Sequence, residues 1–474
     1  MYIILIISII ITLLITGIIG YLSKSKVKTS KDFITGGNKL GVMGVTSMLM
    51  GSIIGGASTV GTAQMAYNRG IGAVWFIFGL SVASIILGLF YSKQVDKKSA
   101  ETIPQIIGCA YGKKARTASS ILLSIGMFIH INGQIIACTA LFTVVFGMSI
   151  TKTAVIVVSL LVAYVVFGGF WGSTMVGAVK TILLYGTSII CGLLLIFKFN
   201  GIRDITSVLP QEPWFNLFSG GVSSDLASGI STIVGVLSTQ TYFQAIMAGK
   251  NSKTSRKSAF LVAFLVFPVG FVCTMIGMYM RIHYPSIAPS EAFPLFLINY
   301  LNPIFGGICI ATVLISSIAT GAGLTLGIAT MFVRDIYNQC INKNAGDKKQ
   351  LHILRGTIVS IGFLTLIIVL NNKNSMILNW GFLSMIFRAT PIFIPVVAAT
   401  FFRGKIRIEA GIYSIIAGPL ASLLWILLGF EKINSIYIGL TISVLVLLSM
   451  SKFFRFKKGI DGTEHNKDDN INVV

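Results

Sequence analysis

Thirteen apolar stretches of membrane-spanning length follow one another along this chain, and a water-soluble core has no room for that pattern. Their approximate borders are 2–22, 41–67, 71–91, 118–147, 153–169, 177–197, 226–248, 258–283, 303–331, 353–371, 377–401, 409–429 and 435–451. A helix needs about 20 largely apolar residues to cross roughly 30 Å of hydrocarbon. Only 11% of the residues are charged, where soluble domains carry about 25%. The expected fold is an all-α polytopic membrane protein of about 13 transmembrane helices, with lipid as its surroundings.

The net charge of +22 does not point to nucleic acid, because the basic residues sit in short loops between apolar spans, where they set orientation and meet anionic headgroups. If the first span starts outside, the regions 23–40, 92–117, 170–176, 249–257, 332–352, 402–408 and the tail from 452, with Arg355, hold 28 of the 37 Lys and Arg residues. Seven lie on the other side, and Lys180 and Arg388 fall within spans. This asymmetry predicts an odd number of spans in the cell membrane, N-terminus outside and C-terminus cytoplasmic. The first run lacks a basic leader and a small-residue cleavage pattern, so it reads as a span and not as a signal peptide. The outer loop 198–225, with Pro210, Pro213 and Trp214, reads as packing decoration, with an interfacial segment or a partial lid as the alternatives, and the polar tail 459–474 as disordered.

The stretch Gly41–Tyr67 has no charge, yet Gly51-Ser52-Ile53-Ile54-Gly55-Gly56-Ala57-Ser58-Thr59 places glycines and hydroxyls at bilayer depth. Such a segment either permits close helix packing or forms a broken helix lining a polar site. A second interruption, Ser238-Thr239-Gln240-Thr241-Tyr242 and Gln244, comes five spans later. Recurrence at corresponding positions is the trace of a transporter with inverted repeats and a site at their interface. All 15 acidic residues fall in loops or at span ends, so a cation site has to be made of hydroxyls and backbone carbonyls. His130 and Gln134, four apart, share a helix face. Without His, Cys or carboxylate partners His130 forms no metal site, and Gln134 is expected to face a cavity. Arg388 lies midway along its span beside a Thr-Pro step, either snorkelling, bonded to carbonyls or contacting substrate. The six cysteines show no CxxC or metal-ligand spacing and read as small apolar filler.

Four stretches resemble the sodium:solute symporter family, which includes proline, pantothenate and sugar symporters. These are GGASTVGTAQMAYNRGIGAVWF (55–76), YVVFGGFWGSTMVGAVKTILLYG (164–186), TQTYFQAIMAGKNSKTSRKSA (239–259) and GLTLGIATMFVRDIY (323–337), in the family's order. The resemblance covers roughly 30–430. It implies a LeuT-type core of two inverted five-helix repeats, 41–197 and 226–401, between an extra N-terminal helix (1–22) and two C-terminal helices (409–451) followed by a cytoplasmic tail (452–474). It also implies sodium as coupling ion, with no further cofactor, held by backbone carbonyls near Gly51 and Ile54 and by positions matching Ser316, Ala319 and Thr320. Many members have paired hydroxyls where this chain has Ala319-Thr320, so one side-chain ligand is absent and Ser316 or Ser317 is placed to compensate. Gln64-Met65 replaces a frequent Pro-Gly.

The expected function is sodium-coupled uptake of a small polar organic solute by alternating access. Ser58, Gln134, Gln240, Tyr242 and Gln244 are the candidate substrate contacts, and Arg388 suggests a carboxylate on the solute. Proton coupling is the nearest alternative, a channel or transporter-like sensor a more distant one. An enzyme would need a nucleophile, base or metal set, which the sequence does not display. The solute, the stoichiometry and the oligomeric state are open at this level.

Overall fold

Long apolar runs become helices whose backbone groups are satisfied within the segment, as hydrocarbon requires, and three of the spanning helices keep prolines in their interiors, at Pro268, at Pro391 and Pro395, and at Pro419. The computed structural model describes residues 2–22, 39–97, 100–198, 201–372, 375–402, 405–430 and 433–451. Among these residues nine helices are long and apolar enough to cross a membrane, and four shorter apolar helices accompany them. The expected tail 459–474 and most of the loop 23–40 lie outside the described residues.

Helix α1 (Tyr2–Leu22) is followed by the first interrupted span: α2 (Val42–Ile53), a π-helical turn Ala57–Gly61, and α3 (Thr62–Arg69). Gly70, at φ +66°, ends α3, a conformation that favours glycine. After it come α4 (Val74–Lys97) and α5 (Ile103–Phe146). The fourth expected span therefore begins earlier than 118, its first turns bending at Gly112 (φ +81°). Helical hydrogen bonding continues through α6 (Ile150–Leu193) and the π-helical turn Leu194–Lys198 after it, whose apolar stretches 150–166 and 174–198 supply the fifth and sixth spans. The side chains of 167–173 lie outside the described residues.

The outer segment carries α7 (Gly201–Val208) and α8 (Gln211–Trp214). It packs over the turn at Gly70. Trp75 donates to the Leu217 carbonyl at 2.7 Å, Ser219 to the Arg69 carbonyl at 3.0 Å, and the Arg281 guanidinium lies over the Tyr67 and Trp214 rings. The second interrupted span is α9 (Val222–Leu237) and α10 (Gln240–Met247), followed by α11 (Ser252–His283), capped by the Asn251 side chain accepting from the Thr254 N–H at 2.8 Å. Then come α12 (Ala292–Tyr300), α13 (Pro303–Met331), α14 (Asp347–Asn371), α15 (Ile377–Phe401), α16 (Ile408–Leu427) and α17 (Ser435–Ser449). Helix α13 is buried along nearly its whole length among α1, α5 and α6, and α2 packs against α6 and α13. That arrangement brings the first break, the middle of α13 and α6 together at the centre.

Candidate functional site

The α2 helix stops because Ile54 is extended (φ −92°, ψ 116°) and two glycines follow. Breaking the ladder leaves carbonyls without intrahelical partners, and the neighbouring helices supply them. Ser316 Oγ donates to the Ile54 carbonyl at 2.9 Å. Thr320 Oγ1 lies 3.1 Å from the Gly51 carbonyl and 3.0 Å from that of Ile54, its single proton serving one at a time. Four of the five expected ion-site residues thus converge. The fifth does not bring a side chain to the cluster: Ala319 lines an apolar cavity with Leu13, Tyr164 and Val176. Ser317 bonds back to the Val313 carbonyl at 2.9 Å and does not compensate.

Ser58 closes the break on itself, accepting from the Gly55 N–H at 2.8 Å and donating to the Gly55 carbonyl at 3.0 Å. A side chain at 55 would crowd the site: an added Cβ would fall 2.3 Å from Gln134 Oε1 and 2.7 Å from Thr320 Oγ1.

A residue that the sequence reading left without a role completes the cluster. Lys180, on α6 and fully buried, donates to the Gly51 carbonyl at 2.7 Å, the Ser316 carbonyl at 2.9 Å and Thr320 Oγ1 at 3.1 Å. An ammonium has three donors and no acceptor, so all its hydrogens are satisfied. The available signal was a charge in the middle of an apolar span, which by default marks function.

From the break a polar path leads towards α15 and α9. The Gly56 N–H donates to Gln134 Oε1 at 2.7 Å, and Gln134 Nε2 meets His130 Nε2 at 2.9 Å. Because the Gly56 N–H fixes the amide oxygen, the amide NH₂ must donate to Nε2, which assigns the imidazole proton to Nδ1. The 3.4 Å approach of Arg388 Nη2 to that Nδ1 is then a packing contact. Arg388 is completely buried and donates to Thr239 Oγ1 at 2.7 Å and more weakly to the Ser384 carbonyl at 3.3 Å. It does not snorkel. Tyr242, also buried, faces the same guanidinium.

Gln240 and Gln244 do not join this path. Gln240 accepts from the Ile103 N–H at 2.9 Å and donates to the Glu101 carbonyl at 3.0 Å, and Gln244 donates to Thr330 Oγ1 at 3.1 Å. The single polar face expected of Gln134, Gln240, Tyr242 and Gln244 is therefore not formed. On α10 positions 240 and 244 share one side and 242 takes another, so the glutamines pin α10 to the start of α5 and to α13 while the tyrosine turns to Arg388.

Near Gln240 the structure is closed by ion pairs. Arg116 pairs with Asp335 at 2.7 Å, Arg334 with Glu101 at 2.9 Å, and Thr102 donates to Asp335 at 3.0 Å. Towards the other end lies a cavity of about 440 Å³, lined by Gln64, Thr139, Thr143, Glu291 and Ser375 among others.

A model of the sodium:solute symporter family matches residues 33–418. The chain belongs to this family. Among curated relatives, the high-affinity proline transporter PutP of Bacillus subtilis is 23% identical over 428 residues, 86% of this chain and 89% of the relative. The human high affinity choline transporter 1 is 24% identical over 365 residues, 72% of this chain and 62% of the relative. A solved Na⁺-coupled sialic acid symporter in a substrate-bound outward-open state superposes with a TM-score of 0.79 over 97% of this chain and 99% of its own, at 15% identity. MhsT in complex with L-phenylalanine gives 0.56 at 14% identity, over 86% of this chain and 98% of its own.

This symporter is thus a multi-pass membrane protein with the LeuT-like inverted-repeat fold and a secondary active transporter of a small solute, not an enzyme. Sodium is the coupling ion to which its family points.

Proposed function

We propose that this symporter uses a sodium gradient to take up a small polar organic solute bearing a carboxylate, with its basic face in the cytoplasm. The observation that carries the reading is the convergence of the Gly51 and Ile54 carbonyls with the hydroxyls of Ser316 and Thr320 at a break in a membrane helix. These are hard oxygen donors at bilayer depth, the kind of site that discontinuous transporter helices provide for an alkali ion. Arg388 supports the carboxylate: it is a desolvated guanidinium with no acidic partner among the described residues, and a planar fork of donors matches a carboxylate better than a hydroxyl. Proline and choline name relatives, and sialic acid a structural neighbour; two of these three solutes carry a carboxylate. The ion pairs near Arg116 close the basic side, and the cavity near Gln64 lies towards the other, which fits an outward-facing arrangement.

The test is uptake into proteoliposomes with imposed sodium or proton gradients, screened over amino acids, monocarboxylates, vitamins and sugars. Concentrative uptake of a carboxylate driven by sodium is expected. Uptake of neutral sugars that Arg388→Gln leaves unaltered would overturn the carboxylate assignment.

A further inference from the structure

We propose that the solute is a carboxylate without an ammonium group, a net anion and not a zwitterion. The inference rests on the carboxylate reading of Arg388 and deepens it to a substrate class. Arg388 is fully buried, and its N–H donors meet neutral groups among the described residues. They reach Thr239 Oγ1 at 2.7 Å, Met385 Sδ at 3.0 Å, the Ser384 carbonyl at 3.3 Å and the Tyr242 hydroxyl. The positive charge is therefore solvated by dipoles but not balanced, and an unbalanced charge in a dry site is costly.

The chain has no acid at this depth to balance it. All 15 Asp and Glu residues fall in loops or at span ends, and the other charged residue within the spans, Lys180, is also basic. A zwitterion brings one charge of each sign. Its carboxylate would meet the guanidinium while its ammonium put the excess positive charge back into the same low-dielectric space. A net anion leaves the pair neutral.

An ammonium also brings three donors that need acceptors, and the oxygens around the guanidinium are already engaged. Thr239 Oγ1 accepts from Arg388 and donates to the Gly235 carbonyl at 2.6 Å, and Ser384 Oγ donates to the Gly126 carbonyl. At the second break the Val236 carbonyl accepts from the Thr239 N–H at 3.1 Å and the Leu237 carbonyl from the Tyr91 hydroxyl at 2.8 Å. On α5 the Gln134 oxygen is held by the Gly56 N–H, and His130 Nε2 by the Gln134 amide. Asn132 Oδ1 is buried without a donor, but a helix of 3.6 residues per turn puts it on the far side of α5 from His130.

Thermal unfolding of the purified full-length protein in sodium tests this, because a ligand of the folded state raises the unfolding temperature in step with its concentration over Kd. The probes are matched pairs with one carbon skeleton: propionate and alanine, cyclopentanecarboxylate and proline, hydrocinnamate and phenylalanine. In the pair that fits the site, the amine-free acid should stabilise at about a hundredfold lower concentration than its amino partner. Arg388→Gln removes the charge to be balanced and should narrow that ratio.

An amino acid that stabilises as well as its amine-free partner, with the effect lost in Arg388→Gln, would overturn the anion assignment and leave the carboxylate reading standing. No stabilisation by any member of the three pairs would overturn both. A ratio undiminished in Arg388→Gln would also overturn the proposal, since the preference would then not come from charge balance at Arg388. Should Arg388→Gln fail to fold, the order within the wild-type pairs decides.

Discussion

The ammonium nitrogen of Lys180 lies 2.7 Å from the carbonyl oxygen of Gly51, so the end of α2 is tied to α6 by a charged donor as well as to α13 by hydroxyls. Charge-assisted bonds of this length are roughly twice as strong as neutral ones.

Thr320 is the hydroxyl shared by both carbonyls and by Lys180. Thr320→Val keeps the shape and removes the oxygen. A hydrogen bond to a charged partner is worth about 1.5–3 kcal/mol, which corresponds to roughly tenfold to 150-fold in apparent sodium affinity. Uptake against sodium concentration at fixed pH measures it. Unchanged sodium dependence would remove Thr320 from the ion site. Ala319→Ser should change little, because its side chain lines the apolar cavity beside α1 and not the oxygen cluster.

Gly55 and Gly177 each hold an approach that a methyl group would block. Gly177→Ala meets backbone, the Ser47 carbonyl, and overpacking of that kind costs about 1–3 kcal/mol. Gly55→Ala meets side chains, Gln134 Oε1 and the Oγ1 and Cβ of Thr320, and should disturb the site more than the fold. The expected pattern is a lowered unfolding temperature for Gly177→Ala, and weakened sodium dependence at near-normal thermal stability for Gly55→Ala. Equal loss of stability in both would show that the break at 54–56 is only a packing device.

The span pattern, the two interruptions and the hydroxyls of α13 were all legible because they depend on local composition: a bilayer forces apolar runs into helices, and glycine with hydroxyls marks where a run breaks. What was not legible depends on helix rotation and approach. Gln240 and Gln244 belong to one polar segment in sequence, yet they bond to Glu101, Ile103 and Thr330, partners that only the tertiary arrangement supplies. Lys180 stood in plain view as a charge within a span, but its span adjoins no acidic residue in sequence, and its partners are backbone carbonyls that carry no sequence signal. Arg388 left snorkelling and burial open, and the packing of Gly126 on α5 against Arg388 and Phe387 settles it in favour of burial.

Asp335 joins α5 to the exit of α13 through Arg116 and Thr102. Its side chain is fully buried, while that of Arg116 is 25% exposed, so the pair is worth less than a wholly buried one, about 1–3 kcal/mol between the exposed and buried ranges. Asp335→Asn should shift the resting population towards opening on the basic side by roughly tenfold. Maleimide labelling of a cysteine placed at Gln105 or Asn338, which line the surface recess at these ion pairs, should then speed up in inside-out vesicles. An unchanged rate would show that the ion pairs do not hold the closed state.

Arg388 can be tested apart from the ion site because its guanidinium reaches Thr239 and Tyr242 and only packs against His130. Arg388→Lys keeps the charge but loses the planar fork, and Arg388→Gln loses both. If the guanidinium receives a solute carboxylate, apparent solute affinity should fall in the order wild type, Lys, Gln, while sodium binding in the absence of solute stays within a few-fold of wild type. A site built to bond a charged group rejects an analogue lacking it by far more than an apolar pocket rejects a missing methylene. The amide or alcohol analogue of the transported solute should therefore be discriminated strongly by the wild type and weakly by Arg388→Gln. Competition uptake assays with matched acid and amide pairs give that ratio directly. Equal discrimination in both proteins would return Arg388 to a structural role, that of a cation buried to fasten α15 to α9 at the second break.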